Sequence, residues 1–449
     1  MQLPADTGAL ATGAHLRDVL SRALDMAKRG GATAAEADLG SGHGLSVTVR
    51  NGEVETVEHQ RDKGLSITVY VGARKGSAST TDFSDAALAA TVEAACTIGG
   101  YASEDECAGL LEPRYLAHEV PDLELSHPWT ISAEEAIARA RECEAEAKTS
   151  DARITNSEGA VLGTYAGRHL YGNTHGFLGG WDWTTHSVDC NVIASAGGTM
   201  QRDGWYTKAR DPLDLDDLRA VGRRAAARTV ARLGARRLST RKAPVVFEAP
   251  LAGGLFAAFV TAISGAALYR KASFMQDSLG TRVFAPLVGI REEPHLRKAL
   301  GSAPFDSDGM ATRPRDLVRD GTVMGYVLSA YSARKLKMEP TGNGGGVHNV
   351  VVAHGEHDLP GLLREMGTGL LVTDLIGFGI NQVTGDYSRG ASGFWIENGT
   401  VQYPVEEITI AGNLREMYGG IVAIGSDVDR RGNFQSGSVL IDRMTIAGG

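Results

Sequence analysis

Apolar positions near the start recur at helical spacing: Leu16, Val19, Leu20, Ala23 and Met26 fall on one stripe, and Gly30-Gly31 supplies a stop. The period then drops to two. Leu45, Val47 and Val49 alternate with polar residues up to Asn51-Gly52, a strong tight-turn signal, and a second alternating run follows through Val54 and Val57. This pattern predicts a hairpin. A further strand, Leu65-Ser66-Ile67-Thr68-Val69-Tyr70-Val71, turns at residues 72–76 into Ser77-Ala78-Ser79-Thr80, and the alanine-rich run from Ser84 to Thr97 returns to helix. The order helix, antiparallel sheet, helix predicts an α+β domain over residues 1–125.

Beyond it, Ala133 to Lys148 reads as a helix with Glu and Arg on its wet faces, and residues 154–208 as short strands broken by Gly159, Gly163, Gly172 and Gly179-Gly180. A helix from about Leu215 to Arg237 spaces Arg224, Arg228, Arg232 and Arg236 four apart on one face. Solvation is the simpler expectation for that stripe, an acidic partner the alternative. Residues 126–240 are therefore expected to form a helical and β-rich connecting region, followed by a large β-rich C-terminal domain over 241–449. That domain opens with Ala249 to Tyr269, which has no charged residue. Its interior glycines and hydroxyls, and Pro250 at its start, predict a buried helix rather than a membrane span.

Composition narrows the partners. A formal charge of −9 argues against nucleic acid or an acidic membrane. The four cysteines, Cys96, Cys107, Cys143 and Cys190, are scattered without a CxxC, so reduced thiols or small buried hydrophobes are expected. With no secretory signal visible at Met1, this points to the cytoplasm. The 57 glycines among 449 residues exceed the average of about 7% and fit a turn-dense antiparallel sheet.

Several long blocks carry a resemblance. They are Tyr331-Ser332-Ala333-Arg334-Lys335-Leu336, Thr341-Gly342-Asn343, Gly385-Asp386-Tyr387-Ser388-Arg389-Gly390-Ala391-Ser392-Gly393-Phe394-Trp395, Ile410-Ala411-Gly412-Asn413-Leu414 and Gly437-Ser438-Val439-Leu440-Ile441. In that order they resemble the PmbA/TldE proteins, from about Gly44 to the C-terminus. The resemblance implies a cytosolic metallopeptidase built as a heterodimer, in which a TldD-like chain supplies zinc through a His-Glu-x-x-x-His helix. It also implies unfolded peptides, including leader segments of modified peptides, as substrates. This chain lacks the zinc motif. Its one His-Glu pair, His118-Glu119, is followed by Pro121, Asp122 and Leu123. By the resemblance, Leu255-Phe256-Ala257-Ala258-Phe259-Val260-Thr261-Ala262 stands where the partner's ligands would be, and none of these side chains binds zinc. No catalytic residue, metal ligand or cofactor is therefore expected in this chain.

Other candidates are weaker on chemistry. His354-Gly355-Glu356-His357-Asp358 has spacing that can chelate a divalent ion, but it also reads as a polar loop before a helix at Pro360. Ser388 has neither a Gly-x-Ser-x-Gly elbow nor a local histidine. His348 follows glycines that permit close backbone approach, and Tyr387, Arg389 and Trp395 combine flat area with a multi-donor cation, or else form a packed cluster. The expected peptide-contacting set is Asn343, His348, Asn349, Asp386, Tyr387, Arg389 and Trp395. An autonomous hydrolase using His348, His354, His357 or Ser388, and a non-catalytic peptide-binding protein, remain as alternatives.

Overall fold

Long antiparallel strands carry the first half of the chain. In the computed structural model, which describes residues 13–448, α1 (Gly13–Arg29) leads into β1 (Ala34–Arg50), β2 (Glu53–Val71) and β3 (Arg74–Thr80). There follow α2 (Asp85–Tyr101), α3 (Ala133–Ser150), β4 (Ile154–Asn173), β5 (Leu178–Ala196), β6 (Thr199–Ala209) and α4 (Leu218–Ala231). The six strands form one sheet in the order β3-β2-β1-β4-β5-β6. β1 pairs with β4 from Glu36↔Asn173 to Val49↔Ala160, so the sheet runs across the expected boundary at residue 125. Asn51 and Gly52 take the positive φ values, 53° and 81°, that the β1–β2 turn requires. The short strands expected over 154–208 are in fact three long ones.

One face of this sheet serves two helix pairs. Ala35, Ala37 and Leu39 of β1 share a core with α1 and α2, while Leu45, Val47 and Val49, further along the same face, share another with α3 and α4. Cys143 and Cys190 are buried in the second of these cores. The opposite face is left to meet the rest of the chain.

The second half runs through β7 (Arg241–Phe247), α5 (Ala249–Ala262), α6 (Gly265–Tyr269), β8 (Ile290–Glu292), β9 (Arg315–Arg319), β10 (Thr322–Val323), α7 (Ala330–Leu336), β11 (Val350–Val352) and α8 (Leu359–Met366). It ends with β12 (Gly369–Ile376), β13 (Asp386–Glu397), β14 (Thr400–Asn413), α9 (Leu414–Gly419), β15 (Ile421–Ile424), β16 (Phe434–Gln435) and β17 (Val439–Gly448). A sheet in the order β14-β13-β12-β7-β17-β15 curls until β14 also pairs with β17. A smaller sheet has the order β10-β9-β8-β11-β16. Phe256 and Phe259 of α5 share one core with strands of both sheets. The uncharged segment is thus a buried helix that breaks after Ala262, where Ser264 caps α6. Among the described residues no helix is long and apolar enough to cross a membrane.

The arginine stripe departs from expectation. α4 ends at Ala231; Arg224 and Arg236 are exposed as expected, but Arg228, Arg232 and Arg236 reach across to the second half of the chain. Arg224 lies 3.6 Å from the centre of the Trp205 ring, Arg228 binds Glu248 at 2.7 Å, and Arg232 reaches Asp374 at 3.3 Å. Arg236 lies over Tyr403. A second tie links the 105–110 segment to α7, where Arg334 donates to the carbonyls of Cys107 and Gly109 at 2.9 Å and Tyr331 donates to Asp105.

Candidate functional site

The sheet face away from the helices forms one wall of a cleft of about 640 Å³. Strand register decides which side chains line it. Pairing of His169 with Trp181, Gly167 with Trp183 and His186 with Ala209 puts His169, Trp181, Trp183, Thr185, Lys208 and Arg210 on a common face. Trp183 stacks on Tyr165 with 5.3 Å between ring centres. It can lie flat because position 167 is glycine: a Cβ there would sit 2.6 Å from the Trp183 ring. Trp181 meets Phe305 edge-on at 4.9 Å.

The facing wall comes from the second half of the chain, residues 300–307 and the loop Gly344-Gly345-Gly346-Val347-His348. Gly345 and Gly346 hold φ of 88° and 119°, conformations that side chains rarely adopt. Asp306 anchors the two segments together: its carboxylate accepts from the backbone of Asp308 and Met310 at 2.9 Å and from Gly344 at 2.7 Å. Burial, with Asp308 nearby, pushes its pKa up to about 7.

Behind the glycine loop lies a buried charged network. Glu292 accepts from the His348 backbone at 2.9 Å, His348 Nδ1 at 3.0 Å, Asn343 Nδ2 at 2.7 Å and Arg315 Nε at 2.8 Å. Burial alone would raise the Glu292 pKa, yet the His348 hydrogen bonds and the Arg315 charge outweigh it and hold it below the usual value. Asn349 is fully buried, donates to Glu293 O and Ser302 Oγ, and accepts from Gly301 N.

The expected contact residues therefore separate into two groups. His348 lines the cleft, and Asn343 and Asn349 hold its wall from behind. Asp386, Tyr387, Arg389 and Trp395 all sit on β13, and none of them lines this cleft. Tyr387 and Trp395 are 3% and 5% exposed and pack in the C-terminal core, Tyr387 edge-on to Phe247 and Trp395 under Arg241. Asp386 is on the surface, where Thr384 and Asn413 bond its carboxylate. Arg389 lies 3.5 Å from the Leu375 carbonyl. His354, Glu356 and His357 form an exposed loop, and Asp358 caps α8 by accepting from Gly361. Sequence reading passed over Trp181, Trp183, Lys208 and Arg210. The available signal was two tryptophans two apart on the polar side of a strand.

Zinc does not fit α5. Its buried positions are Ala, Leu, Phe and Val, and its most exposed ones are Gly254 and Thr261. Glu248, just before it, is already paired with Arg228. Among the described residues no group of three or more His, Cys, Asp or Glu is placed to hold a metal ion.

Comparison with known proteins accounts for nearly the whole chain. Models of the PmbA/TldA metallopeptidase domain 1, central domain and C-terminal domain match residues 35–99, 126–233 and 240–448. The Metalloprotease PmbA of Escherichia coli O157:H7 is 48% identical over 433 residues, 96% of each chain. A crystal structure from Bacteroides thetaiotaomicron, named as a candidate modulator of DNA gyrase, superposes with a TM-score of 0.93 at 27% identity, covering 98% of this chain and 100% of that one. TldE from Thermococcus kodakarensis shares the fold, with a TM-score of 0.84 at 20% identity over 96% of this chain and 100% of that one. On this near-complete match in sequence and fold, the chain belongs to the PmbA/TldD family of metallopeptidases.

Proposed function

We propose that this chain is the subunit of a two-chain cytoplasmic metallopeptidase that grips the peptide while a TldD-like partner supplies zinc and cuts. The observation that carries the reading is α5: in a metallopeptidase family, this helix offers only apolar, glycine and threonine side chains. A zinc peptidase needs imidazole or carboxylate ligands, an open coordination position and a carboxylate to take a proton from the activated water. This chain's contribution is the wall against which an extended peptide lies. The aromatic faces of Trp181, Trp183 and Phe305 give sequence-tolerant contact area. The Glu292 network keeps the glycine loop in place, so that backbone groups rather than a mobile side chain meet the substrate. Unfolded peptides suit such a wall because each residue can present its backbone.

Zinc content tests this. The chain purified alone is expected to carry no stoichiometric zinc and to leave unfolded peptide intact, while the complex with a TldD-like partner carries zinc and cleaves. About one zinc per isolated chain, or peptidase activity without the partner, would overturn the reading in favour of an autonomous hydrolase. Peptide binding that leaves the partner's turnover unchanged would leave only a binding role.

A further inference from the structure

Arg210 is a buried cation without a counter-charge. It is 8% exposed, and its Nη1 and Nη2 donate to the carbonyls of Thr184 at 3.0 Å and Leu300 at 2.7 Å. Its Nε is buried without a hydrogen-bond partner. Three other largely buried arginines face a carboxylate: Arg228 faces Glu248, Arg315 faces Glu292 and Arg431 faces Asp429. The adjacent acid, Asp211, is bound to Lys298 at 2.7 Å. Burial pushes the Arg210 pKa down to about 10, which leaves it charged at neutral pH. A buried charge is costly unless something pairs it.

Lys208 stands two residues away on the same strand face, exposed at the same cleft and without a carboxylate partner among the described residues. Asp306 is the one carboxylate in the lining, and its oxygens are taken by three backbone N–H groups. The cleft thus combines two uncompensated cations with an aromatic platform, where Arg210 lies 5.6 Å from the centre of the Trp183 ring. The chemistry that completes it is a carboxylate joined to an apolar or aromatic group.

We propose that this cleft captures the C-terminal carboxylate of a peptide, with Arg210 and Lys208 as its counter-charges and the last side chain lying against Trp183 and Phe305. The proposal rests on the reading that this chain grips peptide, and it names which end of the peptide is held. A free chain end brings carboxylate and side chain together on one residue, as the spacing of cations and aromatics on neighbouring strands requires. An internal acidic side chain carries the same group, so the two sources are tested side by side.

The test uses the full chain assembled with its partner, with zinc removed by a chelator so that nothing is cut, and titrates binding of three peptides: acetyl-Ala-Ala-Phe as the free acid, the same peptide as the amide, and acetyl-Ala-Glu-Phe amide. Quenching of tryptophan fluorescence reports on Trp181 and Trp183. The free acid is expected to bind at least ten-fold more tightly than either amide. Lys208→Gln, on an exposed residue, is expected to cut that preference several-fold, and Arg210→Gln to abolish it where circular dichroism shows the fold retained. Equal binding of acid and amide, or a preference untouched by Lys208→Gln, would overturn carboxylate capture while leaving peptide gripping intact. Tighter binding of the Glu-containing amide would assign the cleft to internal acidic residues instead. No binding of any of the three would overturn the gripping reading as well.

Discussion

Glu292 is 2% exposed and remains on the ionised side because His348, Asn343 and Arg315 converge on it. Glu292→Gln keeps the shape and removes the charge, leaving Arg315 buried beside a neutral group. The expected loss is about 3 kcal/mol in denaturant unfolding at pH 7. Since the folded pKa is depressed, this stabilisation is complete above the unfolded carboxyl value of about 4.3 and disappears as pH falls through the folded one. The stability gap between wild type and variant should therefore close on acidification. A gap unchanged at low pH would show that the lost interactions are not ionic. None of this was legible from periodicity: Glu292 lies in a short strand, while the residues that hold it come from 315, 343 and 348.

At the scale of elements, the period of apolar residues was a good guide wherever one face is buried and the other wet. α1 and the β1–β2 turn stand where the pattern puts them. β2 shows where the pattern fails. It runs unbroken from Glu53 to Val71, but its first eleven residues are exposed, so the run through Val54 and Val57 faces no core. Their strand state comes from pairing with β1 across the Asn51-Gly52 turn and not from a buried face. α5 was legible as buried because it lacks charge. Phe259 in it is fully buried and meets Phe284 edge-on at 4.9 Å between ring centres. Phe259→Ala should destabilise by about 3–5 kcal/mol through lost burial and a residual cavity. A loss under about 1 kcal/mol in urea unfolding would mean that the surrounding core collapses to fill the space.

For the whole molecule, the seam along α4 decides how the two halves sit. Arg228 reaches Glu248 at the start of α5 and Asp203 on β6, and both partners are largely buried. Burial works against the charge on Arg228, but the two carboxylates outweigh it and raise its pKa. Arg228→Met would leave Glu248 buried without its cation, at an expected cost of about 3–5 kcal/mol. It should also increase proteolytic nicking of the 232–240 connection, and unchanged proteolysis would place the holding energy elsewhere, for instance at Arg334. The sequence by itself determined the family, the α+β class, the opening helix and hairpin, and the absence of zinc ligands from α5, because each is written in contiguous residues. Only the tertiary structure decided the cleft, the role of the arginine stripe and the burial of Tyr387 and Trp395. Trp183, Arg210, Asp306 and His348 are far apart in the chain, and they meet only because the polar face of one sheet packs against loops from the other half. Such a meeting leaves no periodic trace in either segment, since it depends on strand register and on which face the helices have already taken.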